Sequence, residues 1–275
     1  MSSTETVRAG SGRATRRASG SASGRVPGSA SGSVSDSASG RVPGRAAGKA
    51  GRAHDTREAI LDAAERLFAE RGVGEVSNRQ IGQAAGQANN FAVGYHFGTK
   101  ADLVRAIVRR HTAVTEERRL GMLAEIAEPG DLRAWISCLV RPATGQLDAL
   151  GVPSWRARCL AQFDTVPALR QIVVDESVAT PSMGRALEGM FRLLPGLPEA
   201  VRAERGDMSR LLVVHTLAER ERALHEGGPA AGTGWEATAA GLIDAGTGWE
   251  ATAAGLVDAL AGLWQAPVTT RPAPG

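Results

Sequence analysis

The sequence predicts an all-α fold, with three compact helices ahead of a larger helical body and an unstructured tail in front. Three observations predict it. Apolar side chains between residues 55 and 264 recur with a 3.6-residue period rather than alternating. Strand-forming aromatic residues are scarce, with one tyrosine and 4% aromatic content in 275 residues. The periodic segments are punctuated by helix caps, with Ser, Thr, Asp or Asn at their starts and Gly at their ends.

The first 54 residues are dominated by Ser, Gly, Ala and Arg, and they lack the large apolar side chains that offset ordering entropy. They are expected to be disordered. The octapeptide SASGRVPG at 21–28 recurs at 37–44, a duplication within a low-complexity tract. Charge is unevenly divided. This segment carries nine Lys/Arg against two acids, a net of +7, whereas the remainder carries 23 against 27. A basic arm on a mildly acidic body either attracts a polyanion such as DNA or is a solvated leader.

Helices are expected at 56–71, 78–85, 89–96, 100–127, 131–149, 154–163, 168–193, 198–226 and 248–264, with a further short one near 235–243. The first is capped at Asp55 with Glu58 three residues on, buries Ile60, Leu61, Ala64, Leu67 and Phe68, and closes at Arg71-Gly72. The second opens with Ser77 and Gln80 in capping-box spacing, turns Ile81, Ala84 and Ala85 inward, and stops at Gly86. The third is capped by Asn89 or Asn90. Pro142 lies inside the 131–149 pattern and should kink or split that helix. Near the C-terminus a 14-residue unit at 231–244 repeats at 245–258, differing only at Ile243 and Val257. The terminal helix is expected on the second copy, where Trp249, Ala253, Leu256, Val257, Leu260, Leu263 and Trp264 form one stripe.

Two short helices joined by a Gly-bearing turn and braced by a longer first helix are the parts of a helix-turn-helix. Its second helix enters the DNA major groove, so its exposed side chains must meet base edges or phosphates. Asn89, Asn90, Phe91, Ala92, Tyr95 and His96 occupy that helix, and Asn can pair bidentately with adenine. Ser77, Asn78, Arg79 and Gln80 start the helix before it, where free N–H groups favour a phosphate. Thr99 and Lys100 do the same for the fourth helix, and Lys100 is one of only two lysines in the chain.

The runs TREAILDAAERLFAERG, IGQAAGQ and AVGYHFGTKADLV resemble the DNA-binding domain of the tetracycline-repressor (TetR) family over about 57 residues. Gly82 stands where that family has Ala, and the interval from Gly86 to Phe97 is one residue longer than its commonest pattern. The resemblance implies that Tyr95 and His96 contact the DNA backbone, that Phe97 packs in the three-helix core and that Lys100 holds a phosphate. It further implies a repressor that binds a palindromic operator as a homodimer and is released by a small hydrophobic effector. On this reading residues 55–111 form the DNA-binding domain, 112–264 an effector-binding and dimerisation domain, and 265–275 a disordered end. A purely structural dimerisation body is the alternative to an effector domain.

Helix 198–226 carries an apolar stripe of Leu211, Leu212, Val214, Leu217 and Ala218, suited to pairing with a second copy. Trp135, Cys138, Trp155, Cys159, Phe163, Met183, Met190 and Phe191, all on middle helices, are candidates to line an effector pocket. Catalysis is not expected. The five histidines are scattered without metal-ligand spacing, and no P-loop or dinucleotide fingerprint occurs, so neither metal nor cofactor is expected. Cys138 and Cys159 lack C-x-x-C spacing and are expected as reduced, buried thiols. Without an apolar run long enough to span a bilayer or a secretory h-region, a cytoplasmic protein away from the membrane is expected.

Overall fold

The computed structural model describes residues 44–89, 91–126, 130–226 and 248–268. Among them are ten α-helices and no strand, as the periodicity predicts. The helices are α1 Gly44–Arg71, α2 Asn78–Ala84, α3 Ala92–Phe97, α4 Lys100–Ala124, α5 Leu132–Leu150, α6 Arg156–Asp164, α7 Pro167–Val178, α8 Pro181–Arg192, α9 Glu199–His225 and α10 Trp249–Gln265.

The first helix departs from expectation at its start. It begins at Gly44 instead of Asp55, so Asp55 and Glu58 lie within it and form no terminal capping box. Ala, Arg and Lys at 45–50 are strong helix formers, and propensity extends the helix over residues expected to be unstructured. Its other end follows the pattern, with Gly72 at φ +84° and its N–H on the Phe68 carbonyl at 2.9 Å. The short helix expected near 235–243, the first copy of the 14-residue repeat and residues 1–43 lie outside the described residues.

The segment expected as one helix over 168–193 is two. Thr180 precedes Pro181, whose ring disfavours the helical conformation in the residue before it, and Pro181 then starts α8. Glu116 of α4 accepts from the Ser182 amide at 3.0 Å and from its hydroxyl, fixing the start of α8. Pro142, by contrast, neither splits α5 nor leaves its freed carbonyl unsatisfied. Proline deprives the Cys138 carbonyl of its helical partner, and the buried Arg119 of α4 donates to that carbonyl through Nε at 2.8 Å.

Two apolar clusters organise the helices. One holds Ile60, Leu61, Ala64, Leu67 and Phe68 of α1, Ile81 of α2, Val93 and Phe97 of α3 and Leu103, Val104, Ile107 and Val108 of α4. It also takes in Cys159 and Phe163 of α6, so the packing of the first four helices extends past residue 111 into the body. Phe163 stands edge-on to Phe68 with ring centroids 5.9 Å apart. The second cluster joins α5, α8, α9 and α10, with Trp135, Ile136, Val140, Met190, Leu217 and the α10 stripe at its centre. All of the predicted α10 stripe is buried except Leu263, which is half-buried against the cluster. Glu221 of α9 ties the two parts together. Its buried carboxylate accepts from Ser154 Oγ at 2.6 Å and from the Ala157 and Arg158 amides at 3.1 and 2.9 Å, capping α6.

Candidate nucleic-acid interface

Each element of the reading head is positioned by local chemistry that the sequence encodes. At the start of α2 the Ser77–Gln80 capping box is complete, with Gln80 N–H on Ser77 Oγ at 3.3 Å and Ser77 N–H on Gln80 Oε1 at 2.7 Å. The helix ends in a glycine cap. Gly86 sits at φ +69°, its N–H reaches the Gln83 carbonyl, and the Gln87 N–H reaches that of Gly82, both of which close the turn. Ile81 and Val93 are buried across the α2–α3 contact, which sets the angle at which α3 leaves the turn.

The recognition helix α3 is shorter than the expected 89–96. Asn89 shapes a turn ahead of it, its Oδ1 accepting from the Phe91 N–H at 2.9 Å and its carbonyl from the Ala92 N–H at 3.0 Å. One half of the Asn89 amide is thereby committed to the backbone. Asn90 lies outside the described residues. Phe91 and Tyr95, one helical turn apart, stand out at 81% and 85% exposure. His96 is half-buried and edge-on to Tyr95, with centroids 5.2 Å apart. Phe97 is buried as the resemblance implies, with the Arg57 guanidinium 4.9 Å above its ring.

Several candidate residues behave otherwise than the sequence suggests. Ala92 is buried and turned from solvent, because it follows the turn directly and packs with Val93 into the α1–α4 core. Ala84, expected inside, is exposed. Asn78 is half-buried, whereas Ser77 and Arg79 are open to solvent. At the start of α4 the helix N-terminus is already filled. Thr99 and Asp102 form a second capping box, with Thr99 Oγ donating to Asp102 at 2.6 Å and the Asp102 N–H returning to that hydroxyl at 3.1 Å. These bonds to Thr99 hold the Asp102 carboxyl below its ordinary value, so a carboxylate stands where a phosphate was expected.

Lys100 has a structural role that the sequence does not reveal. Its Nζ donates to the Val73 carbonyl at 2.9 Å and to that of Val76 at 2.7 Å, bracing the loop between α1 and α2. An ammonium group has three N–H donors, so one remains to face a phosphate.

Behind the reading head, α1, α4 and α5 meet through a buried polar cluster. Glu65 accepts from Arg110 Nη2 at 2.7 Å and faces His111 Nε2 at 2.6 Å, while Gln146 lies 3.2 Å from His111 Nδ1. Burial raises the Glu65 pKa, but hydrogen bonds and charge from His111 and Arg110 outweigh it and hold the carboxyl below its ordinary value. Burial, and after it the charge of Arg156, pushes His111 below its ordinary value against the pull of Glu65. A cleft of about 500 Å³ opens beside this cluster, walled by α1, the end of α2, Leu150 and Trp155.

The eight residues expected to line one effector pocket are divided between the two cores. Trp135, Cys138 and Met190 are buried in the α5–α8–α9–α10 cluster, with Phe191 half-buried against it. Cys159 and Phe163 belong to the cluster under α1, and Trp155 faces the cleft. Met183 is half-buried on α8. No cavity among the described residues is lined by the whole set, because Gly189 lets Trp135 pack directly onto α8 and fill that space. Among the described residues there is no grouping of three or more His, Cys, Asp or Glu placed to hold a metal, and no helix long and apolar enough to cross a membrane. Cys138 and Cys159 are buried free thiols, and burial raises the pKa of both.

Two short helices at a glycine turn, the second carrying exposed aromatic and amide groups and both braced by α1 and α4, define a helix-turn-helix DNA-binding domain. Comparison with known proteins agrees: residues 60–107 match the profile of the bacterial regulatory proteins of the tetR family. A stretch of 65 residues is 42% identical to the HTH-type transcriptional repressor BepR of Brucella suis biovar 1 (strain 1330), covering 24% of this chain and 31% of that protein. A stretch of 56 residues is 41% identical to the HTH-type transcriptional regulator TtgR of Pseudomonas putida, covering 20% and 26%. The chain spans about a third or less of the length of these curated relatives. The domain that carries the match is thus a tetR-family helix-turn-helix domain.

Proposed function

We propose that the protein is a sequence-specific DNA-binding regulator: a repressor that acts as a homodimer on a palindromic operator, is released by a small molecule and carries out no catalysis. The observation that carries this reading is the exposed face of α3, where Phe91 and Tyr95 lie on one side and Arg79 of α2 is open beside the same turn. Phe91 suits apolar contact with a thymine methyl group, and Tyr95 suits a phosphate oxygen. Lys100 acts in two ways, bracing the loop before α2 and offering its remaining proton to a phosphate. The site of action is the cytoplasm, where chromosomal DNA is reached.

Dimerisation supplies the two-fold symmetry that a palindrome requires. Met208, Leu211 and Leu212 of α9 support it, at 44%, 42% and 37% exposure along one stretch of helix. The body that follows the reading head serves dimerisation and effector binding, and the cleft beside His111 is the roomiest candidate for the effector.

Selection from random DNA followed by fluorescence anisotropy over a salt series tests the reading. The expected result is nanomolar-class binding to two symmetric half-sites that weakens as salt rises. Equal affinity for the scrambled site would refute sequence-specific regulation. Leu211→Glu is expected to yield a monomer by light scattering and to reduce operator affinity. Retention of the dimer would move the interface away from α9.

A further inference from the structure

A second, smaller cavity lies on the inner side of His111, between α4, α6 and α7. Its volume is about 50 Å³. Ile107, Leu160, Phe163 and Val173 line it with hydrocarbon, and His111, Thr112, Ser177 and Arg156 contribute the polar groups. Arg156, the first residue of α6, is half-buried, and none of its guanidinium protons meets a hydrogen-bond acceptor among the described residues.

The carboxylates close enough to feel its charge, Glu65 and Glu221, are both committed elsewhere. Glu65 serves Arg110 and His111, and Glu221 serves Ser154, the α6 backbone and Arg158. Two buried carboxylates therefore face three guanidinium groups, with Asp62 pairing Arg110 from the solvent side. Burial pulls Arg156 down to about 10, which expresses the same shortage of a partner. A desolvated cation is costly unless an acceptor reaches it, and the planar fork of guanidinium matches a carboxylate with two parallel hydrogen bonds.

We propose that this cavity is the binding site of a short-chain carboxylate, held by Arg156 through its two oxygens and by the Ile107–Leu160–Phe163–Val173 wall through its hydrocarbon. The space is that of one or two waters, since each occupies about 30 Å³ in the liquid, and it admits a compact anion but not a branched one. The proposal rests on the regulatory reading above by giving its effector a chemical class. Phe163 is both a wall of the cavity and the ring that packs edge-on against Phe68 of α1, so an occupant bears directly on the helix that supports the reading head.

Isothermal titration calorimetry of the full chain with sodium acetate, in chloride buffer at constant ionic strength, tests the site independently of DNA. Saturable binding at one site per chain is expected, with pivalate excluded by size. Arg156→Met is expected to weaken acetate binding at least about tenfold and Arg156→Lys less, the lysine keeping charge but losing the fork. Each variant is checked for native helicity by circular dichroism. Absence of saturable acetate binding, equal binding by Arg156→Met, or equal binding of pivalate would overturn the proposal. Operator affinity measured with and without acetate separates the two readings. Loss of the site alone leaves DNA binding intact, and absence of DNA binding leaves the calorimetry unaffected.

Discussion

Replacing Lys100 by methionine separates two roles that look alike in a binding assay. The substitution preserves length and hydrocarbon while deleting both donors to the Val73 and Val76 carbonyls. Hydrogen bonds from a charged group contribute roughly 1.5–3 kcal/mol each, and the half-buried ammonium places this pair at about 2–4 kcal/mol together. For a domain of roughly 150–250 residues each kcal/mol moves the melting temperature by about 2–4 °C, so Lys100→Met should lower it by on the order of 10 °C. Scanning calorimetry measures this directly. The residual folded protein should bind its operator with nearly the parental salt dependence, because the loop and not a phosphate has lost its partner. An unchanged melting temperature, with a slope of log K against log salt shallower by about 0.9, would refute the bracing role and leave only the phosphate contact.

Gly189→Ala would place a methyl carbon 2.2 Å from ring carbons of Trp135, so a loss of about 1–3 kcal/mol is expected in urea unfolding, and a change within about 0.5 kcal/mol would contradict the packing. Gly82→Ala, by contrast, meets only ordinary contacts at 3.9 Å from Val93 and 4.0 Å from Asn89, and should raise stability by about 1 kcal/mol with operator affinity retained. The pH dependence follows from Glu65 and His111, whose folded pKa values are both lowered. The stability each contributes is complete above its ordinary value, 6.5 for His111 and 4.5 for Glu65, and is lost as pH falls through the folded value. Melting temperature should therefore decline in acid from about pH 6.5 downward, and His111→Gln should flatten the part between 6.5 and 4.5. An unaltered decline would assign it to groups other than the Glu65–Arg110–His111–Arg156 cluster.

The parts legible in the sequence are those governed by neighbours a few residues away. The Ser77–Gln80 box, the glycine closures at 72 and 86 and the stripe of α10 depend on spacings of three or four residues, and all are formed. The break before Pro181 had a local signal too, in the restriction that proline imposes on Thr180, but the continuous apolar period masks it. Other features depend on distant partners. Lys100 reads as an anion binder until its carbonyl partners, 24 and 27 residues upstream, are known. Arg119 satisfies the carbonyl that Pro142 frees, and no pattern links those two positions. An apolar residue on a middle helix lines a cavity or fills a core depending on its opposite number. Trp135 therefore belongs to the core because residue 189 is glycine.

Cys159 and Phe163 belong to the body in sequence and to the reading head in packing. A chain cut after His111 would keep every residue of the helix-turn-helix yet expose the face of Phe68 that Phe163 covers. Such a fragment should be soft where it must be stiff, its two short helices sampling many angles where DNA accepts one. The reading head thus borrows its rigidity, and a transplant of this specificity onto another scaffold would have to carry α6 with it.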